Sequence, residues 1–69
     1  MYELVEAYRG RERASAYATL EAAVEALAGR ATAFLASPGA TVLRQRPRSF
    51  AGIGPDGERL ALSLRSRAG

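Results

Sequence analysis

An α+β fold, with one amphipathic helix laid across a small and mostly antiparallel sheet, is what the hydrophobic periodicity of this chain predicts. Apolar residues recur at a spacing of two, then of three and four, then of two again, and turn-forming residues stand at each change. The predicted order is ββαβββ, or βαβββ if residues 11–18 already belong to the helix, in a single domain covering residues 1–69.

From Tyr2 to Tyr8 the pattern alternates: Tyr2, Leu4, Glu6 and Tyr8 fall on one face of a strand, and Glu3, Val5 and Ala7 on the other. Arg9-Gly10 interrupts, and Arg11 to Ala18 alternates again, so a hairpin turning at Gly10 is the simplest account. The rival is an early helix, because Ala-rich segments favour one. Thr19 can cap a helix, and Glu21 in the first turn complements its dipole. Leu20, Ala23, Val24, Leu27, Ala31, Phe34 and Leu35 then form one apolar stripe, predicting a helix over roughly 19–36. Gly29 lies within it, which suggests a close backbone approach to a strand or a weak point. Ser37-Pro38-Gly39 ends it.

Residues 40–46 read as a strand, and Pro47, which cannot donate to a ladder, marks an edge, a bulge or a break. Ser49 to Ile53 resumes the alternation, Gly54-Pro55-Asp56-Gly57 forms a turn, and Arg59 to Arg65 closes a hairpin with Leu60, Leu62 and Leu64 on one face. Ser66 to Gly69 are expected to fray. The expected core is Leu4, Val24, Leu27, Ala31, Leu35, Leu60, Leu62 and Leu64.

A chain of 69 residues buries only about 60% of the surface its unfolded form exposes. With 7% aromatics, no Trp and no Cys, the core is light and has no disulfide to support it, which suggests that a second copy or a partner covers some apolar surface. No apolar run nears the roughly 18 residues that span a bilayer, and Met1-Tyr2-Glu3-Leu4 lacks a basic leader segment. A cytoplasmic protein with no membrane partner is expected. All ten basic residues are Arg, a bias that a GC-rich coding sequence would also give.

Catalysis draws on a group that titrates near neutrality, an activated nucleophile or a metal. This chain has no His, no Cys and no Lys. Ser15, Ser37, Ser49, Ser63 and Ser66 therefore lack an activating base. The carboxylate pairs Glu21/Glu25 and Glu3/Glu12 read as surface charge, and Asp56 with Glu58 supplies too few oxygens for Ca²⁺. Gly52-Ile53-Gly54 with Gly57 lacks the Lys and the following helix of a phosphate loop, and a hairpin turn accounts for these glycines. No catalytic residue, metal ligand or cofactor is assigned.

Charge is divided unevenly. Residues 1–35 carry −1 and residues 36–69 carry +4, giving the net +3. Arg44, Arg46 and Arg48 stand at alternate positions, so an unbroken strand would put them on one face. A bulge at Pro47 would take Arg48 out of the row. Arg65 and Arg67 can line up beside them. Such a stripe suits phosphates or an acidic protein surface, or else it guards a sheet edge against aggregation. Apart from Phe50 no aromatic interleaves with it, as single-strand binders would require, and the helix carries only Arg30, which excludes a recognition helix.

The segment Ala18-Thr19-Leu20-Glu21-Ala22-Ala23, a strand entering a capped helix, resembles small β-α domains that include HicB-like antitoxins. In its general character the chain also resembles the small inhibitors of phages and mobile elements, anti-CRISPR proteins among them. These likenesses imply a non-enzymatic binding protein, an inhibitor or accessory regulator docking on a nucleic-acid-handling complex. The likenesses transfer no residues; the arginine stripe supplies the expected binding face, Arg44, Arg46 and Arg48, with Arg65 and Arg67 as secondary contacts. Direct nucleic-acid binding, an antitoxin role or a structural subunit of an oligomer are the alternatives.

Overall fold

A computed structural model describes residues 1–67, and its elements run ββαβββ. They are β1 (Tyr2–Tyr8), β2 (Arg11–Tyr17), α1 (Leu20–Leu35), β3 (Thr41–Arg46), β4 (Ser49–Ile53) and β5 (Arg59–Ser66). The five strands form one sheet in the order β2-β1-β5-β4-β3, antiparallel throughout.

The first hairpin turns on Arg9 and Gly10, both with positive φ (53° and 75°). Such a turn matches the right-handed twist of the strands it joins. Residues 11–17 are therefore strand, and the tight turn overrides their helix propensity. Thr19 then caps α1, its hydroxyl oxygen accepting from the Ala22 N–H at 3.2 Å. The sheet leaves four gaps between its edges, about 19 Å at ~4.8 Å each. A helix of 16 residues spans about 24 Å. One helix is thus long enough to carry the chain from the β2 edge to the β3 edge, which is what the strand order requires. At its end the Gly39 φ of 90° turns the chain back into β3.

The helix buries Ala23, Leu27, Ala31 and Phe34 against Leu4, Phe50, Leu60 and Leu62. Of the expected core, Leu4, Leu27, Ala31, Leu60 and Leu62 are buried, whereas Leu35 and Leu64 pack at its margin and Val24 is half-buried. Phe34 and Phe50 take the central places instead, with their rings edge to face at 6.1 Å. Gly52 makes room for them: a Cβ there would lie 2.9 Å from the Phe34 ring. Gly52 therefore sits in β4 for ring packing, and the hairpin turn accounts only for its neighbours. Gly54 accepts from Gly57 N–H at 2.9 Å, and Asp56 accepts from Glu58 N–H at 3.0 Å, which holds the β4–β5 turn and pulls the Asp56 carboxyl below its usual range.

Two further expectations are decided, and for Gly29 the weak point is the account that remains. Gly29 makes no close approach, since its Cβ position is open, and it faces solvent. Ser66 closes β5 rather than fraying, and the Arg67 N–H donates to the Met1 carbonyl at 2.9 Å. Ala68 and Gly69 lie outside the described residues. Among the described residues, no helix is long and apolar enough to cross a membrane.

Candidate functional site

The helix covers one side of the sheet. On the other side, adjacent strands align Glu12, Ala7, Ala61, Ala51 and Arg44 in one row, and Ala14, Val5, Ser63, Ser49 and Arg46 in the next. The middle of this open face is built of small side chains, and guanidiniums stand at its β3 border.

β3 is exposed at every residue. Its pairing with β4 shifts between Val42 and Arg44, so Leu43 is an extra residue, a bulge. Pro47 causes no bulge. It stands with Arg48 in the two-residue turn to β4, where its fixed φ is already that of a turn. This arrangement keeps Arg44 and Arg46 on the open face, opposite Ala51 and Ser49. It also takes Arg48 out of their row. The Arg48 carbonyl accepts from Leu64 N–H at 3.0 Å, fixing the turn over β5.

Arg65 and Arg67 have a separate task. Arg65 Nε donates to Glu3 at 2.7 Å and Arg67 Nη1 donates to the other carboxylate oxygen at 3.0 Å. Glu3 is only 7% exposed, so these two cations neutralise a largely buried carboxylate near the end of the β1–β5 ladder. The Arg65 hydrogen bond above all, then the Arg67 charge, hold the Glu3 carboxyl below its usual range. The structure thus divides the five candidate arginines into three places: Arg44 and Arg46 along the edge, Arg48 in the turn, and Arg65 with Arg67 around Glu3. Among the described residues, Arg44 and Arg46 make no ion pair.

Sequence reasoning passed over the other side of the same edge. Val42 and Leu43 are 41% and 51% exposed. Farther along the hairpin a groove of about 300 Å³ opens between α1 and the β3–β4 turn, lined by Val24, Ala28, Gln45, Arg46, Pro47 and Phe50 among others. The signal of this exposed apolar stretch in the sequence is Val42-Leu43, two adjacent apolar residues that break the alternation where the bulge lies.

Among the described residues there is no cluster of three His, Cys, Asp or Glu side chains able to hold a metal. No protein-family model, curated protein or solved structure matches the chain.

Proposed function

We propose that this chain is a small non-enzymatic binding protein that docks on a partner protein with an acidic surface through β3. It would serve as an inhibitor or accessory regulator of a nucleic-acid-handling complex. The observation that carries this reading is the exposure of β3 along its whole length, with unpaired Arg44 and Arg46 on the open face, apolar Val42 on the helix side and apolar Leu43 exposed at the bulge between them. Recognition surfaces combine an apolar centre with charges that set orientation and encounter rate. Nucleic acid would use the charges and leave the apolar pair idle.

Replacing both Arg44 and Arg46 with Ala tests the proposal. These side chains are exposed, so stability should change by under ~0.5 kcal/mol per site. Capture of the partner from an extract of the native host should be lost, and duplex DNA should bind weakly with or without the substitutions. If wild-type protein binds DNA with a steep log–log salt dependence, near −0.9 per phosphate contacted, and the substitutions flatten the slope by about two units, the chain is a nucleic-acid binder. If the substitutions do no more than promote self-association in sedimentation, the arginines merely guard the edge.

A further inference from the structure

Among the described residues, the two edges of the sheet, β2 and β3, have no further strand beside them, and they differ in character. The helix-side residues of β2 begin with Arg11, Arg13 and Ser15, and its open side offers Glu12, Ala14 and Ala16. The two faces of β3 differ. By register Arg44 and Arg46 fall on the open side, whereas Gln45, paired with Phe50, falls on the helix side; Gln45, Pro47 and Phe50 line the mainly apolar groove beneath α1, and Arg46 stands at its border.

We propose that β3 accepts a short acidic segment of the partner protein as a sixth strand. Carboxylates at alternate positions would lie beside Arg44 and Arg46, and the apolar side chain between them would enter the α1–β3 groove. This inference rests on the docking reading above and specifies its mode. An added strand bonds through its main chain, and its alternating side chains are read separately on the two faces of the sheet. Each requirement has its counterpart on β3: an unpaired backbone edge, cations two residues apart on one face, and a groove on the other. The Leu43 bulge interrupts the ladder after Val42 and leaves Arg44–Arg46 as the longest unbroken run of β3, so the segment recognised is an acidic–apolar–acidic triplet. Charge also rules on the occupant. A second copy pairing through its own β3 would bring both pairs of arginines onto one short ladder, and like charges across a ladder are destabilising.

The test is an NMR titration of the ¹⁵N-labelled protein with a capped peptide, Ser-Thr-Glu-Leu-Glu-Thr-Ser. Amide shifts should change in residues 41–46 and along the facing side of α1, from 24 to 32. A peptide with Lys in place of both Glu, and one N-methylated at Leu, should each bind about fivefold more weakly or worse. Charge reversal with R44E and R46E should exchange the preference between the Glu and Lys peptides, with circular dichroism of the same samples confirming the fold. The proposal is overturned by absence of binding, by shifts centred on β2 or the small-residue face, or by equal binding of the N-methylated peptide. It is also overturned if a short single-stranded DNA displaces the peptide from the same residues more tightly than the peptide binds. Peptide failure with Arg44- and Arg46-dependent partner capture intact removes strand addition alone, whereas loss of both removes the docking reading as well.

Discussion

Replacing Gly29 with Ala should stabilise the protein by about 0.8–1 kcal/mol, the difference in helix propensity between these residues. The position meets every condition for that full difference. Gly29 lies well inside α1, its φ is not positive, and an added Cβ would find no atom within 4 Å beyond its chain neighbours and the helix's own backbone. Nothing is displaced, and the unfolded chain loses conformational freedom that glycine would have kept. Domains of this size are stable by roughly 0.05–0.15 kcal/mol per residue, so the gain is about a tenth to a quarter of the total. In a thermal melt it corresponds to a rise in Tm of about 4–8 °C. Urea unfolding followed by circular dichroism should show a higher midpoint with an unchanged slope. An unchanged or lowered midpoint would refute the reasoning, for it would mean that the outer face of α1 meets a neighbour that needs bare backbone there.

Gly52→Ala should act in the opposite sense, destabilising by about 1–3 kcal/mol in the same unfolding assay, because its Cβ would meet the Phe34 ring at 2.9 Å and the Thr41 carbonyl at 3.0 Å. Glu3→Gln should lower stability at neutral pH and weaken its acid dependence. The folded-state pKa of Glu3 lies below the ordinary 4.5, so its contribution is complete above that value and fades as pH falls through the lowered one. Wild type and variant should therefore converge in acid, and a gap that stays constant from neutral to acid pH would show that the carboxylate charge has no part in holding β1 to β5.

Much of this architecture can be read from residue patterns, and the misses share a physical cause. Period two, the Thr19 cap and the Gly54-Pro55-Asp56-Gly57 turn are local signals, and each marks an element that forms. Core membership is a tertiary property. Val24 lies on the helix stripe but beside the groove, whereas Phe50 becomes central because β4 lies between β5 and β3. The arginine stripe shows the same limit. Alternation places Arg44 and Arg46 together correctly, but only the fold shows that Arg65 and Arg67 converge on Glu3 across 62 and 64 residues of chain. The bulge at Leu43 was written as an apolar doublet and obscured by Pro47, a more conspicuous candidate.

The hydrogen bond between Arg67 and Met1 has a mechanical consequence. β1 and β5 are central neighbours running in opposite directions, with Tyr2 opposite Ser66, so residues 1 and 67 stand side by side at one end of the sheet. A force drawing those residues apart would load the ladder one rung at a time, each worth only about 1 kcal/mol, instead of shearing all rungs at once. The protein should therefore unzip from that end at low force. By the same geometry, its first and last described residues could be inserted together into one surface loop of a host protein without separating the central strands.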